Sequence, residues 1–524
     1  MYDLLIHGGT IIDGTAAPRR GADVAISNDR IVAVGSLAGG STAARRSIDA
    51  SGLIVAPGFV DVHTHSDGWL LKTPHLLPKT SQGFTTEVLM SDGISYAPIS
   101  PETYRDWFVY LRALNGLEQA DYRGWRTIAD YLALLERRTV QNVIAEIPYA
   151  NLRVLAAGWQ RGPLDDTQIM VMRREVERAM DAGAVGISTG LDYVSQCFAT
   201  TDEIAEVVAA IAPWRGLYVT HVRYKKGTLA GVQEAVEIGK RAGVPVHISH
   251  LKCGSTEEGE RILEYVDRVA VHEVDFSFDI YPYLPGSTMF SYLLPYEVWQ
   301  DGPLAACAKL RDPAVRERFE TLLSVFPVPL ERITLAWTAT KANARHQGQT
   351  VAAYVAQSGK TAAEALCDLL IEENLAALSV LHTGQDAWIE PFLKHSKFML
   401  GTDGIYFPDG QVHPRVYGSA PKILGPLVRE HKLFSLEDAV RKLSGYPAER
   451  FGLADRGVVR EGAVADLVLF DPQTICDRAT YENPHQLSLG IEHVLVGGAA
   501  IIAGGRPVEN LGPELPGRAL RFRV

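Results

Sequence analysis

Phe59-Val60-Asp61-Val62-His63-Thr64-His65, which follows Ala56-Pro57-Gly58, is the run whose reading decides the fold. Its apolar character predicts a strand over Val60–His65, in which residues two apart point the same way. His63 and His65 then offer two imidazoles to one point, a donor set that suits a divalent cation. A lone histidine there is ordinarily a buried residue satisfied by hydrogen bonds. Two of them in His-x-His spacing at the end of an apolar strand favour the metal reading.

Outward from this run the chain alternates. Gly83–Met90 reads as a strand, and Thr167–Ala182 as a helix with apolar residues at i, i+3, i+4 spacing. Ala184–Ser188 is a strand, Thr201–Ala212 a helix, Gly216–Thr220 a strand, Leu229–Ala242 a helix and Val244–Ser249 a strand. Such repeats predict parallel βα architecture. The 524 residues suffice for a barrel of roughly 250 to 400 residues plus a smaller domain.

Two further histidines end predicted strands: His221 closes Leu217-Tyr218-Val219-Thr220, and His250 closes Val246-His247-Ile248-Ser249. In a parallel barrel the C-terminal strand ends meet on one face, where such folds keep their chemistry. His247 lies on the opposite pleat and is expected to pack. Phe398-Met399-Leu400-Gly401-Thr402-Asp403-Gly404 ends an apolar strand in an acid between small residues. Alone, such an acid commonly caps a turn. With four histidines it completes a hydrolytic centre, which needs imidazoles for the cation, an open position for water, and a base within reach.

Both chain ends carry short β-prone runs: Asp3–His7, Thr10–Ile12, Ala22–Ser27 and Arg30–Val34 first, then Ala465–Phe470, His493–Val496 and Ala499–Ala503. Neither set can bury enough surface alone, so the two are expected to pair. The predicted fold is α/β, a (β/α)8 TIM barrel of the metal-dependent hydrolase type with a small composite β-domain. Residues 1–57 form its first part, 58–454 the barrel with an insertion around 284–346, and 455–524 the second part.

A net charge of −11 with no basic run argues against nucleic acid or an anionic membrane as partner. A small-molecule substrate is expected, and self-association into a homo-oligomer is open. No Gly-x-Ser-x-Gly elbow is placed between a strand and a helix, and neither a Walker A loop nor a strand-linked Gly-x-Gly-x-x-Gly is present. No secretory leader or long apolar run is visible. The five cysteines, Cys197, Cys253, Cys307, Cys367 and Cys476, are odd in number and widely spaced, which predicts free thiols and a cytoplasmic setting.

Taken together, the motifs resemble the amidohydrolase superfamily and, within it, the N-acyl-D-amino acid deacylases. Matching segments include His63-Thr64-His65, Gly186-Ile187-Ser188-Thr189-Gly190-Leu191, Thr220-His221-Val222-Arg223, Ile248-Ser249-His250-Leu251-Lys252-Cys253, Asp279-Ile280-Tyr281-Pro282-Tyr283, Thr402-Asp403-Gly404 and His413-Pro414-Arg415. The resemblance implies one or two divalent ions, zinc first. His63, His65 and Asp403 would form one site, and His221 and His250 the other. It implies that Asp403 takes a proton from the attacking water and delivers it to the leaving amine. Lys252 and Tyr283, with Arg415, would hold the substrate carboxylate.

Departures stand out too. Where the family usually has Asn-Cys-Gly, this chain has Ser91-Asp92-Gly93, which makes Asp92 a candidate ligand in place of a thiolate, harder in character and able to shift the metal preference. Tyr149 stands where relatives commonly carry His, and Asp192-Tyr193-Val194-Ser195-Gln196 replaces a Pro-Gly loop. Two rivals remain. A cyclic-amide hydrolase of the hydantoinase or dihydroorotase type would typically carry a lysine on the fourth strand, and Ala184–Ser188 has none. A non-catalytic binding barrel would be expected to have lost its ligands, and all are present.

Overall fold

The computed structural model describes residues 1–37 and 44–523; positions 38–43 and Val524, inside the expected terminal segments, lie outside them. Eight parallel strands close a ring. They are β1 Phe59–Asp61, β2 Phe84–Leu89, β3 Asn142–Ala145 continued past Glu146 as Ile147–Pro148, and β4 Gly186–Gly190. β5 Leu217–His221, β6 Val246–Ile248, β7 Phe276–Ile280 and β8 Phe398–Leu400 complete it. Each pairs in parallel with its neighbour, as in Val60↔Thr86, Tyr218↔Val246 and Phe278↔Phe398. The ring closes between β8 and β1 through Val62 N–H to Leu400 O (3.4 Å) and Asp403 N–H to His63 O (2.8 Å).

β1 is shorter than the predicted Val60–His65. Past Asp61 the backbone pairs irregularly with residues 400–404, because the Asp61 carboxylate itself takes the Thr402 N–H (2.8 Å). That irregular stretch is what turns His63 and His65 onto the rim.

Helices cover the ring, and their sequences explain them. Asp166–Asp181 starts at a capping box between Asp165 and Gln168 and buries Ile169, Met172, Val176 and Met180 on one face. Each such side chain contributes about 1.5–3 kcal/mol on burial, so a charge at Val176 would break the packing. Thr228–Ala242 ends where Gly243 takes φ +69°, a left-handed stop.

Between β7 and β8 the chain leaves the ring for residues 281–397. Gly286–Met289 and Ile333–Thr338 both pair antiparallel with Ala377–Leu381. The excursion therefore runs beyond the expected 284–346, because its central strand comes last in sequence.

Ile54–Pro57 joins the two chain ends, pairing parallel with Thr10–Ile11 and antiparallel with Leu467–Phe470. Leu4, Ile6, Val24, Val55, Leu467 and Leu495 share the core beneath. The last residues of the expected 455–524 part do something else. Val143 N–H donates to Arg518 O (2.9 Å) and Leu520 N–H to Val143 O (2.7 Å), so the tail lies along β3, with Leu520 packed among Val60, Val88 and Val219. Among the described residues no helix is long and apolar enough to cross a membrane.

Candidate metal centre

Asp92 stands at the middle of the four histidines. Its Oδ1 lies 3.5 Å from His63 Nε2 and 3.6 Å from His250 Nε2. Its Oδ2 lies 3.7 Å from His65 Nε2 and 3.9 Å from His221 Nδ1. Asp403 faces the same point from β8, with Oδ1 3.2 Å from His65 Nε2 and 3.8 Å from His63 Nε2. All six side chains are buried. The structure thus brings His63, His65, Asp92, His221, His250 and Asp403 together from five strand ends.

The backbone after β2 is bent to place Asp92. Met90, Asp92 and Gly93 all take left-handed angles (φ +68°, +59° and +67°). A side chain at Gly93 would also lie 2.4 Å from Gln196 Oε1. Gln196 Nε2 donates to Asp92 O (2.8 Å) and Ser188 Oγ to Met90 O (2.6 Å), which hold the bend. A capping carboxylate would take the amides that follow it. Here Gly93 N–H donates to Ser188 Oγ, Ile94 N–H to Ser91 O and Ser95 N–H to Asn151 Oδ1. Asp92 is not a cap.

Asp279 and Arg415 fix the ring of donors from behind. Asp279 Oδ2 bonds His247 Nε2 at 2.9 Å and lies 3.7 Å from His63 Nδ1, while Oδ1 accepts from His250 N–H at 3.0 Å. Gly401 leaves room for it: a Cβ there would sit 2.5 Å from Asp279 Oδ1 and 2.6 Å from His63 Cβ. Arg415 Nη1 lies 2.8 Å from Asp403 Oδ2, and Asp192 Oδ2 lies 3.5 Å from His221 Nε2. The expectation that His247 packs holds, with a bond to Asp279 added. Asp279 stands in one of the motifs quoted above without a role, because an acid on an apolar strand shows its purpose only once the neighbouring strand's histidine is known.

The electrostatics call for a cation. Burial disfavours a charged His63 ring, yet Asp92, Asp279 and Asp403 outweigh it and push His63 up to about 10. Burial opposes the charge of Asp403, but Arg415 and the imidazoles hold it well below the usual carboxylate range. His63 Nε2 and Asp92 Oδ1 are buried without a hydrogen-bond partner, a state that is unfavourable unless something satisfies them. Two donor groups, His63–His65–Asp403 and His63–Asp92–His250, each have their ligand atoms within 4.8 Å of one another. The residues fit a divalent cation.

The sequence pattern of the amidohydrolase family matches residues 46–319 and 393–502. The chain belongs to the amidohydrolase family. D-aminoacylase from Alcaligenes xylosoxydans xylosoxydans is 35% identical over 504 residues, 95% of this chain and 94% of that protein. N-acyl-D-glutamate deacylase from the same organism is 35% identical over 528 residues, 99% and 96% of the two. Among solved structures, N-acyl-D-glutamate deacylase from Bordetella bronchiseptica, complexed with zinc and a phosphonate mimic of the tetrahedral intermediate, superposes with a TM-score of 0.84. It is 33% identical and covers 99% of both chains.

In this amidohydrolase a cavity of about 840 Å³ opens over His65, His221, His250 and Asp403. Lys252 lines it, with Nζ bonded to Tyr281 Oη and to the carbonyls of Leu284 (3.0 Å) and Pro285 (3.1 Å). Burial, with Arg415 nearby, holds the Lys252 ammonium well below the usual lysine range. Tyr283 is not brought to the site: it donates to Asp477 Oδ2 (2.9 Å) and packs under Lys422. Pro282 turns the chain between the two tyrosines, and Tyr281 takes the inward position, its ring 4.0 Å from Lys252 Nζ and 4.3 Å from the Arg415 guanidinium. Arg415 is fully buried and reaches Asp403 and Ser287 O rather than the cavity. Tyr149, at the histidine position, donates to Glu203 (2.6 Å) beside Arg153.

Proposed function

We propose that this amidohydrolase cleaves the amide bond of N-acyl-D-amino acids, with one or two divalent ions, zinc first, held by His63, His65, Asp92, His221, His250 and Asp403. The observation that carries the reading is the set of four histidines and two carboxylates converging on one buried point beneath an open cavity. The names of the relatives supply the substrate class. When bound, the cation supplies a Lewis acid that polarises the carbonyl and acidifies water.

The chain's own residues account for the proton and the orientation. Asp403 Oδ2 is held by Arg415 and Oδ1 faces the imidazoles. Its carboxylate removes a proton from the attacking water and passes it to the departing amine nitrogen. Arg415 keeps Asp403 anionic, so the proton is handed on rather than retained. Lys252 meets the substrate α-carboxylate, which restores the charge that burial disfavours. Asp279 fixes the His63 ring and Asp192 the His221 ring, the orienting contacts that metal-binding imidazoles need.

β4 carries no lysine, which counts against the cyclic-amide alternative. The five free cysteines support a reducing, cytoplasmic setting. Elemental analysis of the purified protein, combined with a panel of N-acyl-D- and L-amino acids and cyclic ureides, tests the proposal. Stoichiometric metal, D-selective hydrolysis and loss of activity in chelator are expected. Full activity in strong chelator, or turnover confined to cyclic ureides, would overturn it.

A further inference from the structure

The cavity over the centre exceeds what an acetylated amino acid fills. Its volume, about 840 Å³, is near the top of the roughly 300–1,000 Å³ range that encloses drug-sized ligands. Its base holds His65, His221, His250, Asp403 and Lys252, and Arg161, Lys225, Lys226 and Glu297 also line the cavity. Much of the remaining wall comes from the excursion between β7 and β8 and is apolar: Leu293, Leu294, Leu322, Leu323 and Phe326. At its outer part Leu322 is 42% and Val325 74% exposed. Single exposed apolar residues are ordinary, but these two continue one apolar wall into solvent. The match to the family pattern breaks off at residue 319 and resumes at 393, so this outer wall belongs to a stretch that the pattern does not cover.

We propose that the substrate carries a long, unbranched apolar acyl chain that lies along this wall, which makes the enzyme a deacylase of medium- or long-chain N-acyl-D-amino acids. The inference rests on the deacylase reading and narrows it. An amino-acid side chain would not serve, because the large apolar ones are compact rings or short branches. Only the acyl group can run as a methylene chain from the reacting carbonyl toward Leu322 and Val325. In the reaction the water oxygen joins the acyl carbon, the C–N bond breaks and a proton goes to the amine nitrogen, so a free fatty acid and a D-amino acid leave.

N-acetyl-, N-hexanoyl- and N-dodecanoyl-D-leucine, kept below their micelle concentrations, provide the test. Each methylene taken out of water is worth up to about fourfold, so kcat/KM should rise at least about tenfold along the series. The double variant Leu322→Asp/Val325→Asp, at exposed positions, should reduce the dodecanoyl-to-acetyl ratio by about tenfold or more. N-acetyl-D-alanine against N-acetyl-D-tryptophan forms the control arm. Turnover of the acetyl substrate with no gain from chain length, or a gain from side-chain size alone, overturns the inference and leaves the deacylase reading standing. If no member is hydrolysed, that reading fails, and calorimetric binding decides the wall: tighter binding of the dodecanoyl compound supports it, and equal binding overturns it.

Discussion

Asp92 occupies a left-handed backbone position that a non-glycine residue adopts only at some energetic expense, and the surrounding histidines give the reason. If it is a ligand, Asp92→Ala should lose metal and activity together, while Asp92→Cys should retain metal and favour zinc, since thiolate is the softer donor. Elemental analysis of both variants checks this; unchanged metal content in Asp92→Ala would remove the assignment. Lys252→Met should chiefly raise KM for substrates with a free α-carboxylate, by about tenfold or more, because a charge-assisted bond contributes roughly 1.5 to 3 kcal/mol. Equal loss on carboxylate-free amides would show that Lys252 only supports Tyr281. The histidines and Asp403 are legible in the sequence because each ends an apolar strand, and the rim of a parallel barrel gathers such ends. Asp279 and Asp192 are not, because their partners come from other strands. Tyr283 misleads: it shares the motif with Tyr281, and only the turn at Pro282 decides which ring points inward.

At the scale of elements, the seam between β8 and β1 depends on a buried charge. Lys79, on the short helix Leu77–Thr80, donates to Asp61 Oδ2 (2.5 Å) and to Thr402 Oγ1, with Glu87 3.9 Å away. Thr402 in turn donates twice to Asp61 and precedes Asp403. Removing one partner of a buried pair costs about 3–5 kcal/mol, so Lys79→Met should lower the urea-unfolding free energy by that amount, and adding Asp61→Asn should recover part of it. An unchanged unfolding midpoint in Lys79→Met would show that the seam does not need the charge. β3 is interrupted at Glu146, whose carboxyl oxygens are buried without a hydrogen-bond partner; burial raises its pKa well above the carboxylate range. A folded-state pKa above the unfolded value means that Glu146 becomes a growing liability as pH rises above about 4.5. The stability of Glu146→Gln relative to wild type should therefore increase between pH 5 and 8, and a constant difference would show that Glu146 ionises in the folded protein as readily as in the unfolded chain. The alternation of strands and helices is legible because apolar periodicity changes from element to element. The extent of the excursion is not, since Ala377–Leu381 has the composition of a ring strand and pairs instead with Gly286–Met289 and Ile333–Thr338.

Across the whole molecule, the metal centre and the fold are expected to be one cooperative unit. The two donor groups come from β1, β2, β6 and β8, with His221 of β5 beside Asp92, and among the described residues His63 belongs to both groups. Asp92, Asp279 and Asp403 put three carboxylates around one buried point, where like charges repel strongly at low dielectric. Arg415 offsets Asp403 directly, and a proton on His63 offsets part of the rest. A divalent cation would neutralise more than that proton and also occupy His63 Nε2 and Asp92 Oδ1. The unfolded chain holds these ligands far apart and cannot bind the ion as a set. Binding to the folded state alone then stabilises by RT ln(1 + [M]/Kd), about 2.7 kcal/mol when free metal is a hundred times Kd. Treatment with chelator should lower the thermal midpoint by several degrees as activity is lost, and stoichiometric zinc should restore both along one titration curve. Asp92→Ala should melt at nearly the same temperature with or without chelator, since it no longer holds the ion. A chelated wild type that melts at the holoprotein's temperature would separate the centre from the fold and show the barrel to be stable without its cation.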